Sequence, residues 1–232
     1  HLLDDSNPAE AMNAYYAFYH DDQKTTLLVE PEGAARADGY IAFSRTGMDL
    51  FRPLVTMQLP ADLMGSATDL IYRAMPPETA VILAVSPSAM PLIRALFSIQ
   101  SEELLRLLVL EQSRFEPIVN VLVTQTSSPN NLPRFAIRQQ GANGEVAASA
   151  GLNWQSPRFA DVAVTTNPKY RRQGYGRSVV AALVQLLLAN VRLPSYLVSE
   201  NNDASYRLAQ SVGFRDTGQQ MVLLQAILNP RP

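Results

Sequence analysis

Cysteine is absent from this 232-residue chain. Its absence excludes disulfide bonds, zinc sites built on cysteine and any mechanism that passes through an acylated cysteine. Histidine is scarce as well, since only His1 and His20 occur. Neither lies in a spacing typical of a metal site or of a catalytic triad. We therefore expect no metal cofactor.

Long apolar runs and an excess of positive charge are also missing. No run approaches the roughly 18–20 apolar residues that span a bilayer. The first residues lack a signal-peptide pattern, so we expect a cytoplasmic protein with no membrane partner. Lysine and arginine number 19 against 21 acidic residues, a net charge of −2. This balance argues against nucleic acid as a partner. The length suits one large or two small domains.

The most informative stretch is a strand, a glycine-bearing loop and a helix in succession. Ala160–Thr165 alternates in the manner of a strand, and Arg177–Asn190 has apolar residues at helical spacing. Between them lies the loop Arg171-Arg172-Gln173-Gly174-Tyr175-Gly176. Backbone N–H groups at the start of a helix bind anions, and glycines allow a bulky anion to approach. The segment therefore predicts a phosphate or pyrophosphate site ringed by arginine.

The spacing of the loop separates the known phosphate-binding patterns. No glycine is followed by lysine, so the loop is not a P-loop, and a dinucleotide fingerprint would need glycine where Val179 stands. R-x-x-G-x-G, from Arg171 to Gly176 with Pro168-Lys169-Tyr170 before it, resembles motif A of the GNAT superfamily. These GCN5-related N-acetyltransferases bind acetyl-CoA. The hexapeptide alone is equally compatible with an ordinary strand–turn–helix.

A second segment strengthens the resemblance. Residues Asn202 to Phe214 follow the later GNAT pattern N-x-x-[AS]-x-x-L-x-x-x-x-G-F. Asn202 or Asp203 is suited to cap a short helix, and Gly213 to end it in the left-handed conformation. The resemblance covers roughly residues 130–230, and FR47-like and glycine-acyltransferase-like members look closest.

The first half of the chain alternates predicted strands and helices, with a helix expected over Ser101–Glu111. It lacks an R-x-x-G-x-G motif, which suggests a degenerate GNAT-like α/β lobe that does not bind CoA. The polar, turn-rich segment Thr126–Asn131 is typical of a linker. We therefore expect two domains, residues 1–126 and 127–232, the second being the acetyltransferase domain. The fold class expected is α/β (α+β), with a mixed, mostly antiparallel sheet in the second half.

The resemblance implies where CoA would bind. The sheet of the family is splayed, and we expect the split between the strands Glu145–Trp154 and Ala160–Thr166. The pantetheine arm would pair with backbone in the split and contact the later helix, while the pyrophosphate would bind the loop. The implied cofactor-binding residues are Val164, Thr165, Thr166, Arg171, Arg172, Gln173, Gly174, Tyr175, Gly176, Arg177, Asn202 and Ser205.

The implied reaction is acyl transfer, most simply of acetyl from acetyl-CoA to an amine of a small molecule or peptide, by direct attack in a ternary complex. Many relatives carry a tyrosine acid where this chain has Ala209. Tyr206, one helical turn earlier, and Glu145 are weak catalytic candidates. Asp161 could also act as a base, although a solvated charge at a strand end is the favoured explanation for both Glu145 and Asp161. The alternative function is a catalytically weak or inactive acyl-CoA-binding module. The acceptor and the oligomeric state stay open.

Overall fold

The computed structural model describes residues 2–33, 35–47, 49–60, 64–128, 130–139 and 144–231. The chain forms two compact units. Unit 1 comprises residues 1–105 and 220–232, and unit 2 comprises residues 106–219. Two long strands, β5 (Phe97–Leu110) and β11 (Phe214–Leu228), run through both ranges. The boundary expected at 126/127 is therefore not where the chain divides.

Unit 1 is a sheet with short helices. Its strands follow the order β1-β2-β3-β4-β11-β5. The β3/β4 pair is parallel, whereas the β1/β2, β2/β3 and β4/β11 pairs are antiparallel. Its elements are β1 (Thr25–Glu30), β2 (Gly39–Ser44), β3 (Leu54–Gln58), β4 (Ala80–Val85), α1 (Ala11–Ala14) continuing as a π-helix (Tyr15–Tyr19), α2 (Met64–Ala74) and α3 (Met90–Leu96).

The core of unit 1 forms where the apolar stripe of α2 meets one face of this sheet. Leu70 and Ile71 of α2 are fully buried in one cluster with Ile41, Val55 and Leu83 from successive strands. Burying a side chain of this size contributes roughly 1.5–3 kcal/mol.

Unit 2 has the strand order β11-β5-β10-β9-β8-β7-β6. The β9/β10 pair is parallel, while β6/β7, β7/β8 and β8/β9 are antiparallel. Its further elements are β6 (Val123–Ser127), β7 (Pro133–Arg138), β8 (Val146–Gln155), β9 (Phe159–Thr166), α4 (Tyr175–Ala189), β10 (Leu193–Ser199) and α5 (Asp203–Val212). The mixed, mostly antiparallel fold class expected from the sequence is confirmed.

Helix α4 holds the core of unit 2. Val180, Leu183 and Leu187 recur at helical spacing and are buried with Ala160 and Val162 of β9. Because neighbouring residues of a strand point to opposite faces, Asp161 must face away from α4.

Two elements differ from the sequence interpretation. The helix expected over Ser101–Glu111 is wrong, because these residues belong almost entirely to strand β5. Leu108 and Leu110, two residues apart, are both buried in the core of unit 2, which is a strand period. A leucine-rich run is compatible with the period of a helix and with that of a strand, so packing against the neighbouring strands decides between them.

The linker interpretation of 126–131 is also wrong. Thr126 pairs with Arg134 and Ser127 with Pro133, so the segment joins β6 to β7 as a hairpin. Asn131 N–H donates to the Ser128 carbonyl at 2.9 Å, closing the turn. Of the expected linker, Pro129 lies outside the described residues. Small polar residues serve tight turns as well as linkers.

Candidate active site

A wedge opens between β9 and β10 in unit 2. Their parallel pairing covers only Phe159–Asp161 against Leu193–Ser195, although the strands continue to Thr166 and Ser199. Among the described strands, none therefore pairs beyond Asp161 with the edge of β9 that faces β10. Main-chain groups along such an edge are available to an extended ligand.

The split expected between β8 and β9 is wrong. Those strands pair from Ala148↔Thr166 to Gln155↔Ala160. Only three residues, 156–158, connect them. So short a connection joins antiparallel neighbours, whereas the parallel pair β9/β10 is joined by a crossover through α4. The wedge therefore lies on the other edge of β9.

The loop before α4 has the backbone geometry of an anion-binding nest. Arg172 has φ +62° and Gly174 φ +75°, so left-handed residues alternate just before the helix begins at Tyr175. Within the described part of the chain, no N–H group of residues 172–177 donates a hydrogen bond. Such an alternation with free N–H groups is the geometry of an anion nest, and the helix dipole adds positive potential.

The two glycines of the loop serve different purposes. A Cβ at Gly174 would meet nothing within 4 Å, so this position combines a left-handed backbone with open space. A Cβ at Gly176 would lie 2.6 Å from Leu208 Cδ1 and 2.9 Å from Thr166 Oγ1. Packing within the protein therefore opposes a side chain at Gly176, whereas Gly174 has the open space that an approaching anion needs.

The arginines of the loop are not equivalent. Arg171 and Arg172 are exposed, and within the described ranges neither guanidinium has a hydrogen-bond or ion-pair partner. Arg177 donates through Nε to the Ser211 carbonyl at 3.1 Å, which directs it to the end of α5. Two of the three predicted cations are thus free to meet an anion.

Glu145 braces the loop. Its carboxylate accepts hydrogen bonds from Asn167 Nδ2 at 2.8 Å and from the Tyr170 hydroxyl at 2.9 Å, and Lys169 Nζ lies 3.6 Å away. The hydrogen bonds from Tyr170 and Asn167, with the Lys169 charge, lower the pKa of Glu145. A carboxylate with a lowered pKa is a weak base, so this geometry favours an anchoring role.

The start of α5 carries the other predicted ligands. Asn202 Oδ1 accepts from the Ser205 N–H at 3.1 Å and so caps the helix. The Ser205 hydroxyl lies 2.7 Å from the hydroxyl of Tyr196, a buried residue of β10 that the sequence interpretation missed. Both side chains already have internal partners.

Tyr206 is held by a charged cluster. Its hydroxyl donates to Asp216 Oδ2 at 3.5 Å, and the guanidinium of Arg106 lies over its ring, 5.7 Å from the centroid. Arg106 in turn pairs with Glu200 at 2.8 Å. Ala209, where relatives carry the acid, is fully buried. These contacts favour a structural role for Tyr206.

Asp161 is the residue whose environment the sequence interpretation misjudged most. It is only 2% exposed, so the solvated alternative is wrong for this side chain. It is the last residue of β9 that pairs with β10, opposite Ser195. Asn153 Nδ2 donates to its Oδ2 at 2.7 Å, while Oδ1 has no hydrogen-bond partner in the described structure.

Burial raises the pKa of Asp161 to about 7. The Asn153 amide, the Leu197 N–H and the Ser195 hydroxyl oppose that rise in part. A buried carboxyl group with a free oxygen and a pKa near neutrality is typical of a functional site. It lies at the closed end of the wedge.

Comparison with known proteins agrees with this geometry. Residues 102–214 match the model of the acetyltransferase (GNAT) family. Residues 102–214 belong to the GNAT superfamily. Among curated proteins no sequence match was found. The FR47-like subtype stays a prediction.

Several solved GNAT structures share the fold. A GCN5-related N-acetyltransferase from Kribbella flavida is 16% identical with a TM-score of 0.64, covering 97% of this chain and 95% of that one. One from Sphaerobacter thermophilus is 13% identical (TM-score 0.60; 96% and 86%). A tandem GNAT protein from the clavulanic acid biosynthesis pathway is 12% identical (TM-score 0.58; 97% and 89%). At such identities the likeness concerns the fold alone.

Other candidate sites among the described residues are few. Among the described residues, no three His, Asp or Glu side chains are grouped to hold a metal ion. No helix in the described ranges combines the length and apolar character needed to cross a membrane. Within unit 1, a cavity of about 580 Å³ lies between the N-terminal segment and β1, and Arg36 is its charged lining residue. It contains none of the predicted site residues.

Proposed function

We propose that this GNAT protein transfers the acetyl group of acetyl-CoA to an amine of a small molecule or peptide by direct attack in a ternary complex. The observation that carries the proposal is Asp161, a buried carboxyl group with an unpartnered oxygen at the closed end of the wedge. A module that only binds acyl-CoA has no need of such a group. Leaving a buried polar atom unpaired destabilises a fold, which favours a functional explanation.

Three features support acetyl-CoA as the co-substrate. The unpaired edge of β9 at Val164, Thr165 and Thr166 is suited to the amide groups of the pantetheine arm. The free N–H groups of residues 172–177 suit a pyrophosphate. The unpartnered Arg171 and Arg172 add attraction for it. Asn202 and Ser205 stay in the proposal as contacts of the arm.

Asp161 would act as the general base. When bound, acetyl-CoA supplies a thioester acyl group with a thiol leaving group. A lysine-like acceptor has a pKa of about 10.4 and must lose a proton before its nitrogen attacks. Oδ1 of Asp161 would take that proton, directly or through water, while Oδ2 stays bonded to Asn153. A pKa of about 7 suits this role, because base catalysis is most effective near the working pH.

A turnover assay tests the catalytic proposal. Thiol release from acetyl-CoA would be followed with a panel of amines, using the wild type and Asp161→Asn. We expect the variant to lose about 10²-fold or more in kcat, the usual scale of general base catalysis, and to keep its CoA affinity. Undiminished turnover in the variant would exclude Asp161 as the base. Binding of CoA without turnover on any amine would favour the alternative, a binding module.

A matched pair of glycine variants tests the CoA site. Gly174 and Gly218 have φ values of +75° and +76°, and a Cβ at either would meet nothing within 4 Å. Gly174→Val and Gly218→Val should therefore cause similar backbone strain. Only the change at Gly174 should abolish CoA binding in calorimetry. Equal affinity in the two variants would contradict the assignment of the loop.

We also propose that the N-terminal part of the chain is a degenerate GNAT-like lobe that binds no CoA. The likeness to a tandem GNAT protein over 97% of this chain supports this. Calorimetry should give one CoA per chain. A stoichiometry of two would overturn this proposal and leave the assignment of the loop intact.

A further inference from the structure

Strand β8 contains a bulge at Asn153. Leu152 pairs with Val162 and Trp154 with Asp161, so Asn153 is an extra residue with no partner on β9. A bulge of this kind turns a side chain out of the regular alternation and is often found beside an active site.

The bulge brings an amide to the buried carboxyl group. Asn153 is an exposed residue, yet its Nδ2 reaches Oδ2 of the buried Asp161 at 2.7 Å. One carboxyl oxygen is thereby occupied and the other stays free. The contact defines which oxygen can accept a proton and holds the carboxyl plane in one orientation.

Asn153 is also the strongest polar influence on the charge of Asp161. Its amide stabilises the ionised form more than the Leu197 N–H or the Ser195 hydroxyl does. Tyr196 of β10 is the titratable neighbour, and its own pKa is raised mainly by burial and slightly by the Asp161 charge. Within the described residues no cation offsets the charge of the carboxylate. A neutral amide is therefore what keeps Asp161 available as a base.

We propose that Asn153 is a positioning residue of the acetyltransfer reaction: the bulge in β8 aims its amide at Oδ2 of Asp161, which leaves Oδ1 as the proton acceptor. This inference rests on the proposed function. It assigns a role to a residue outside both sequence motifs. It also gives a reason for the irregularity in β8.

The pH profile of kcat/KM separates this role from a merely structural one. Asn153→Ala removes a hydrogen bond to the charged form of Asp161, so the pKa of Asp161 rises. The increase of kcat/KM with pH should therefore begin at a higher pH than in the wild type. We expect a loss of about tenfold at pH 7, partly recovered at pH 9. Asn153→Asp places a second carboxylate beside the first and should move the profile further. Affinity for CoA should not change.

A direct titration makes the test independent of turnover. The carboxyl carbon of Asp161 would be followed by NMR in the wild type and both variants, with Asp161→Asn identifying the signal. A higher midpoint in Asn153→Ala, and a still higher one in Asn153→Asp, is expected. Identical midpoints and profiles would overturn the inference. Should Asp161→Asn retain turnover, the proposed base itself fails, whatever the variants at position 153 do.

Discussion

Replacing Asp161 by asparagine should stabilise the protein at neutral pH. Asp161 is buried, and its pKa is raised from 3.8 to about 7. Between these values the unfolded chain has lost the proton and the folded chain retains it, so the free energy of unfolding falls as pH rises. At about 1.36 kcal/mol per pKa unit, the fall amounts to at most about 4 kcal/mol. It is complete above pH 7, where the folded carboxyl group is ionised.

Asparagine has the same shape and no charge, so the variant escapes this loss. Its stability relative to the wild type should grow from about pH 4 to pH 7 and stay constant above. Urea unfolding at several pH values measures the difference, with Asp22→Asn as a control at an exposed position. Circular dichroism would establish that both variants are folded. A difference that is independent of pH, or largest at pH 4, would refute the reasoning.

Three further outcomes are expected. Gly176→Ala should destabilise unit 2 by about 1–3 kcal/mol in thermal unfolding, because its Cβ would lie 2.6 Å from Leu208 Cδ1; an unchanged Tm would contradict the close packing. Arg172→Ala should weaken CoA binding more at low than at high salt, since an exposed charge is screened; calorimetry at two ionic strengths checks this. Tyr206→Phe should barely change kcat, because the hydroxyl is bonded to Asp216; a loss of about 10²-fold would make Tyr206 the acid.

Local chemistry made much of unit 2 predictable. The strand–loop–helix around Gly174 and the capped helix ending at Gly213 occur where the two motifs placed them. Gly213 has φ +114°, as a left-handed helix end requires. These features depend on residues near one another in the chain.

The position of the wedge could have been predicted from the lengths of the connections between the strands. A connection of three residues between β8 and β9 already required a paired hairpin, and a helical crossover to β10 already implied a parallel neighbour. The resemblance by itself gave a splayed sheet without saying which edge of β9 is free. These two connection lengths indicate that the free edge of β9 is the one that faces β10.

Some features depended on partners distant in sequence. The sequence of residues 101–110 is compatible with a helix or a strand. It forms strand β5 because it lies between the strands β11 and β10. Gly176 has little room for a side chain, because a Cβ there would lie 2.6 Å from Leu208 Cδ1, on another helix. Neither contact has a local sequence signature.

The two motifs alone predict the family, the glycine-bearing loop before α4 and the capped helix, because those follow from glycine, arginine and capping residues at fixed spacing. The burial of Asp161, and with it the role open to this residue, depends on the folded chain. An aspartate in a strand is solvated or buried according to what packs over it, and its pKa follows from that burial. The free oxygen, the bulge at Asn153 and the end of the β9/β10 pairing are brought together only by the folded sheet.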